Sequence, residues 1–254
     1  MKFIKTILAA AAVTIAAEGA VITGSVSTFS GPDDLLLDPS TNVIAVDIGG
    51  DTSGNIVNGV SFLNDGTGIT GSVSNGAVAV SSAAGYSING WTTAPSYVGG
   101  TPGSSAALSS IMHDIRWSLA TSATPNISLD ITGLTPGSIY NVQLLFSENG
   151  SVSDRHWDIG VDGALVVDDY NTNGTSASIG SAYSGDFDPG ADGALNIVMG
   201  FEPLPGDPNN TAAAGADNNP ILHAVIVHEV IPEPGSLALL GLGLSTFFLR
   251  RKRI

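Results

Sequence analysis

The sequence predicts an all-β fold: an antiparallel β-sandwich, flanked by an N-terminal signal helix and a C-terminal hydrophobic helix. Three observations predict it. Short apolar runs alternate with polar residues at a period of two, and clusters of Gly, Ser, Thr and Asn separate them. No window sustains an amphipathic helical period beyond about two turns, except Ala106–Ile115. Cysteine is absent, so apolar burial and not disulfides must hold the fold, and about 210 residues suffice for one sizeable core.

The expected strands are Asn42–Asp47, Gly59–Leu63, Gly76–Ser81, Ile127–Thr132, Ser138–Phe146, His156–Val161, Ala164–Asp168, Ala194–Phe201 and Ile221–Val230. The pattern is clearest between residues 124 and 170. Ile127, Leu129 and Ile131 alternate with Ser128 and Asp130, which gives one buried and one wet face. Gly133-Leu134-Thr135-Pro136-Gly137 turns the chain, and Tyr140, Val142, Leu144 and Phe146 line the next strand. Trp157, Ile159 and Val161 form an inward face, with His156 and Asp158 opposite. Asp162-Gly163 then supplies the positive φ of a type I′ hairpin. Ala182–Pro220 reads as loop-heavy, and Pro203–Pro220 as a long surface excursion.

Both ends carry address signals. Lys2 and Lys5 precede an apolar run from Ile7 to Ala17, and the small residues Ala17, Gly19 and Ala20 follow, the order of a cleavable signal peptide. This divides the chain into a signal peptide (1–20), a β-sandwich domain (21–231) and a C-terminal segment (232–254). In that last segment Pro232-Glu233-Pro234 stops the preceding structure. An uncharged run from Gly235 to Leu249 follows, and Arg250, Arg251, Lys252 and Arg253 come next. Fifteen helical residues reach only about 22 Å, short of a hydrocarbon core of about 30 Å, so the segment suits a transient inner-membrane handle better than a permanent span.

This order of a Pro-Glu-Pro triplet, a hydrophobic helix and a basic cluster resembles the PEP-CTERM sorting signal of Gram-negative bacteria. The resemblance implies export, processing near the triplet by an exosortase-like enzyme, and delivery to the cell surface or an exopolysaccharide matrix. The residues it singles out are Pro232, Glu233, Pro234, Arg250, Arg251, Lys252 and Arg253.

Charge narrows the partners. Six of the eight basic residues lie in the two terminal signals. Residues 21–231 therefore keep Arg116 and Arg155 against 21 acidic residues, a net charge of −19. Such a body repels nucleic acid and anionic lipid.

A second resemblance rests on Tyr140-Asn-Val-Gln-Leu-Leu-Phe-Ser-Glu148 and Arg155-His-Trp-Asp-Ile-Gly-Val-Asp-Gly163. Val46-Asp-Ile-Gly-Gly50 and Asn219-Pro-Ile-Leu-His-Ala-Val225 join them. Together these segments resemble malectin-like domains across about residues 42–230, which implies a galactose-binding-like jelly roll used largely for carbohydrate. The matched residues are framework, and no sugar-contacting residue carries over. Leu134–Tyr140 alone is also similar to the turn into a tyrosine-corner strand of fibronectin type III domains, but the chain's length and the Arg155–Gly163 continuation argue against that fold.

Catalytic motifs are scarce. Gly66-Thr-Gly-Ile-Thr-Gly71 satisfies the G-x-G-x-x-G spacing, but no βαβ unit surrounds it. There is no G-x-S-x-G elbow, H-E-x-x-H or P-loop. His113, His156, His223 and His228 never take a metal-ligand spacing, and without cysteine no soft-metal site forms. Asp186, Asp188 and Asp192 read as carboxylates on a turn-rich loop, the hard oxygen ligands Ca²⁺ uses, although the bidentate glutamate of an EF-hand is missing. Adjacent Asp168 and Asp169 are expected to point apart at a strand end. Trp91 and Tyr97 are the leading aromatic platforms for a sugar face, with Trp117 and Trp157 assigned to the core.

The sequence thus supports an exported, non-catalytic module delivered to the surface or matrix and binding carbohydrate or exopolysaccharide. A structural matrix protein without a ligand is the alternative. A secreted hydrolase ranks lower, because it needs converging carboxyls that no motif supplies.

Overall fold

In a computed structural model the structure describes residues 20–50, 54–83, 86–88, 90, 94–118, 126–148, 155–172, 175–200 and 219–231. The signal peptide up to residue 19, Trp91, residues 203–218 of the expected surface excursion and the segment from Pro232 onward lie outside them. In chain order the strands are β1 (Ala20–Phe29), β2 (Asn42–Asp47), β3 (Ile56–Val57), β4 (Val60–Ser61), β5 (Leu63–Asn64), β6 (Thr70–Asn75), β7 (Val78–Ala83) and β8 (Tyr86–Ile88). After helix α1 (Ser104–Ile111) come β9 (Ile115–Trp117), β10 (Asn126–Thr132), β11 (Tyr140–Phe146), β12 (His156–Val161), β13 (Ala164–Asn171), β14 (Gly180–Asp188), β15 (Leu195–Gly200), β16 (Ile221–Leu222) and β17 (Ala224–Glu229).

Two six-stranded sheets form the sandwich. Sheet I runs β1-β14-β11-β17-β2-β5, and sheet II runs β13-β12-β15-β10-β7-β6. Every pair within them is antiparallel except β2 with β5. Small sheets β16-β9-β8 and β3-β4 complete the fold.

Burial explains why the faces differ. The inner faces meet in one core: Val142, Leu144 and Phe146 of β11 and Val225 and Val227 of β17 pack towards Ile127, Leu129 and Ile131 of β10 and Ile197 and Met199 of β15. The other face of sheet I is also covered. Ala45, Leu145 and Ile226 lie under Phe29, Phe62 and Tyr97 and under Leu108 and Ile111 of α1. Hence β11 and β17 read as nearly continuous apolar runs, as strands buried on both sides do. In sheet II, β7 and β10 keep a strict alternation, β10 buried on its odd positions and half-buried or exposed at Asn126, Ser128, Asp130 and Thr132. The outer face of this sheet is the wet one.

The expected strands at 42–47 and 156–161 fall where the pattern puts them, while Gly59–Leu63 splits into β4 and β5. The loop-heavy reading of Ala182–Pro220 is corrected at its start, because Gly180–Asp188 is a nine-residue strand paired between β1 and β11 in sheet I. Its glycines disguised it. A Cβ on Gly185 would lie 2.5 Å from the Tyr183 hydroxyl and 2.9 Å from the Phe187 ring, and one on Gly24 of β1 would also meet that hydroxyl at 2.5 Å. Glycine here makes room for aromatic side chains. The Leu134–Tyr140 turn does make a tyrosine-corner contact, the Thr135 amide donating to the Tyr140 hydroxyl at 3.0 Å, but within this larger sandwich.

Candidate ligand-binding face

The outer face of sheet II carries a shallow trough. It consists of two depressions of about 520 and 550 Å³ that share Ser81 and Asp130. Strand register builds it. Ser72, Ser81, Asp130 and Asn196 face one another directly across β6, β7, β10 and β15. With strands about 4.8 Å apart, this row of polar side chains spans roughly 14 Å. The Ser72 and Ser81 hydroxyls lie 3.2 Å apart, and the Asn196 amide donates to Asp130 Oδ1 at 2.6 Å. The Asn196 backbone N–H donates to Asp162 Oδ1 at 2.8 Å, which fixes the far rim. Thr70, Ser128 and Thr132 add hydroxyls along the walls.

No basic side chain of the domain is exposed on this face, because both are buried. Arg116 is fully buried and pairs with Asp65 at 3.2 Å. Its guanidinium also donates to the carbonyls of Gly68 at 2.8 Å and Gly66 at 3.4 Å. That role explains the G-x-G-x-x-G stretch: its carbonyls hold a buried arginine, not a phosphate. Arg155 pairs with Glu148 and donates to the Asn219 carbonyl at 2.9 Å, which locks together three of the segments that resemble malectin-like domains.

The other anticipated residues do not converge. Asp186 and Asp188 lie in β14, not on a loop. Asn141 donates to Asp186 at 2.7 Å, while Asp188 and Asp192 each cap a backbone N–H two residues on, those of Gly190 and Ala194. Among the described residues the carboxylate trio whose oxygens approach within 4.8 Å is instead Asp158, Asp168 and Asp169. The expectation that Asp168 and Asp169 point apart is corrected by a backbone irregularity. Asp169 takes a left-handed φ of 49°, and the β12–β13 register shifts on both sides of Ile159. The Asp169 N–H then donates to Asp158 Oδ1 at 2.9 Å. These three are the residues with a geometry suited to a hard cation, and no sequence signal marked the bulge that gathers them.

Tyr97 is corrected as an exposed platform. It is 5% exposed and packs on Phe29 with ring centroids 5.3 Å apart, under sheet I's second apolar layer, and burial pushes its phenol pKa up. The exposed aromatic surface lies elsewhere. Tyr86, 45% exposed, stacks on half-buried Trp117 at 4.8 Å and 27° as a directly opposed pair of β8 and β9. Trp157 is core, as expected, edge-on to Phe146 at 5.5 Å.

With this geometry in view, the comparisons are specific at one end and structural in the middle. Residues 230–253 match the family model of the PEP-CTERM protein-sorting motif. The chain carries a PEP-CTERM sorting signal. The signal marks it for export to the surface or matrix and for processing by an exosortase. No curated protein matches the sequence. Among solved structures, the chain resembles one from the complex of the plant peptide RALF23 with FER and LLG2, at TM-score 0.51 and 16% identity, covering 82% of this chain and 56% of that one. It also resembles the ANXUR2 extracellular domain from Arabidopsis thaliana, at TM-score 0.50 and 13% identity, covering 76% and 49%. Both are malectin-like extracellular domains of plant receptor kinases, so the sandwich is malectin-like in fold. The chain spans about half the length of these two chains.

Proposed function

We propose that this chain is an exported, non-catalytic module of the cell surface or matrix that binds neutral carbohydrate, such as an uncharged exopolysaccharide, along the outer face of sheet II. The carrying observation is the trough itself: an open, hydroxyl-rich row of Ser72, Ser81, Asp130 and Asn196, on which neither basic side chain of the domain is exposed. Hydroxyl, amide and carboxylate groups in a line match the alternating donors and acceptors of a sugar chain. A body of net charge −19 opposes uronic-acid polymers as it opposes nucleic acid. The two plant relatives in fold are extracellular domains, which agrees with such a role by analogy. Before processing, the hydrophobic segment would hold the chain transiently in the inner membrane.

A hydrolase needs two free carboxyls flanking a scissile bond. The trough's Asp130 and Asp162 are both tied to Asn196, which favours holding a ligand over cutting it.

The test is a glycan array probed with the full-length protein in detergent, with calcium and again with a chelator. Saturable binding to neutral glycans is expected, reduced at least tenfold by Ser81→Trp, which fills the trough without touching the core. A folded protein silent on all glycans would leave a purely structural matrix role in its place.

A further inference from the structure

The two main sheets have four edges, and three are blunted. A free edge strand exposes unpaired N–H and C=O groups, so folded proteins protect it with short length, bulges, charge or proline. β5 has two residues and pairs in parallel. β13 shifts register twice and carries Asp168 and Asp169. β1 is broken between Val21 and Thr23. β6 alone has none of these devices. Its six residues, Thr-Gly-Ser-Val-Ser-Asn, pair with β7 residue for residue without a shift, and they include no charge and no proline. Among the described residues no strand pairs with its other side.

We infer that β6 is the seam through which two copies of this chain join, antiparallel edge to edge, into one twelve-stranded sheet. Charge restricts where a second copy can sit. Two bodies of net charge −19 repel, and they can approach closely only along an uncharged line, which β6 provides. Its pattern is also self-complementary. Exposed Thr70, Ser72 and Ser74 alternate with half-buried Gly71 and Val73. A two-fold axis through either Ser72 or Val73 pairs outward residues with outward residues and Val73 with inward ones, so each copy keeps its faces. Such a contact is isologous and closed, and stops at a dimer. One consequence rests on the proposed function: Thr70, Gly71 and Ser72 also line the trough, so the seam places two troughs side by side for a single polysaccharide to bridge.

The chain has no cysteine, so introduced thiols report cleanly. In the full-length protein in detergent, the double variant Ser72→Cys/Ser74→Cys can crosslink in either register, as 72 to 72 or 72 to 74. Mild oxidation should give a dimer on a non-reducing gel, several-fold more than Thr28→Cys on the edge strand β1. Sedimentation of the cysteine-free protein should show a monomer–dimer equilibrium. Ser72→Asp, an exposed change that sets carboxylates against each other, should shift it to monomer with thermal unfolding unchanged. Crosslinking no greater than that of Thr28→Cys, or a monomer at every concentration, overturns the seam and leaves glycan binding standing. A dimer that persists in Ser72→Asp places the contact elsewhere and overturns it as well. Loss of glycan binding with the dimer intact would sink the trough and leave the seam.

Discussion

The guanidinium of Arg116 and the carboxylate of Asp65 meet at 3.2 Å with neither side chain reaching solvent. Asp65 also accepts the Gly49 N–H at 2.6 Å and the Ser82 hydroxyl, while Arg116 draws in the Gly66 and Gly68 carbonyls. One of the domain's two cations thus ties β9 to the loop that enters β6, beside the trough. Burying an ion pair contributes little net stability, but removing one partner strands the other charge. Arg116→Met is therefore expected to lower unfolding free energy by about 3–5 kcal/mol, and Asp65→Asn by less, since an amide still accepts hydrogen bonds. Urea unfolding read by tryptophan fluorescence checks both. A loss under about 1 kcal/mol for Arg116→Met would mean that Asp65 is hydrated in the folded state.

Two glycines with the same backbone sign should behave differently. Gly133 has φ 81°, and a Cβ there would sit 1.9 Å from the Ala77 carbonyl oxygen. Gly163, φ 75°, has nothing within 4 Å of its Cβ position. Gly163→Ala is expected to cost only the left-handed penalty, about 1–2 kcal/mol. Gly133→Ala adds a backbone collision that no rotamer relieves, and should cost at least twice as much or abolish folding. Thermal melts of the pair decide the matter, and equal costs would show that the Ala77 turn yields.

Strands with a clean alternation were legible because alternation was the physics that placed them. β10, β12 and the Asp162-Gly163 hairpin follow directly from their side chains, and Asp162 does take φ 49°. β14 was not legible, because its glycines break the apolar alternation, and part of what sets them lies across the sheet: Gly180 makes way for the Phe29 ring of β1, and Gly24 of β1 for the Tyr183 hydroxyl, pairings that a local window cannot hold. Tyr97 failed for a similar reason. Nothing near it announces that sheet I is covered twice, so a loop tyrosine reads as free when it is a layer of core. The trough was half legible: the polar positions of β10 were evident, but β6 was not foreseen, and the row across four strands exists only once register is known.

Histidine 223 gives a pH prediction with a definite sign. It is fully buried between β16 and β17, its ring nitrogens 2.7 Å from the Asp114 carbonyl and 2.9 Å from that of Ser147. Burial pushes its pKa down to about 4, and the two carbonyls pull in the opposite direction without overcoming it. The unfolded chain takes up a proton near 6.5, the folded one only near 4, so the unfolded state binds more protons in between. Stability is therefore full above pH 6.5 and declines as pH falls towards 4, by about 3 kcal/mol from this residue. His228, also lowered chiefly by burial, adds to the same trend. Urea midpoints at pH 7.5, 6, 5 and 4.5 should fall monotonically, and His223→Asn should flatten the slope. A wild-type midpoint constant from pH 7.5 to 4.5 would show that His223 stays protonated on its two carbonyls.

The sorting segment should be separable from the fold. The last backbone tie of the sandwich is the Val230 N–H donating to the Ile139 carbonyl at 2.8 Å, and Ile231 is already 62% exposed. The PEP-CTERM match covers 230–253, so its Pro-Glu-Pro triplet begins where the described contacts end. A chain stopped after Ile231 loses none of those contacts and keeps every strand of sheets I and II. It also loses the triplet, the hydrophobic run and the four cations that would hold it at the membrane for processing. Expressed in a host with an exosortase, this truncation should melt at the same temperature as the processed protein, yet appear in the medium and not in the envelope fraction. If it fractionated like the full-length chain, retention would have to come from the sandwich itself, through its ligand or its β6 edge. Ser81→Trp in the trough and Ser74→Asp, which is exposed on β6 but outside the trough, would then tell those two apart in the truncated background.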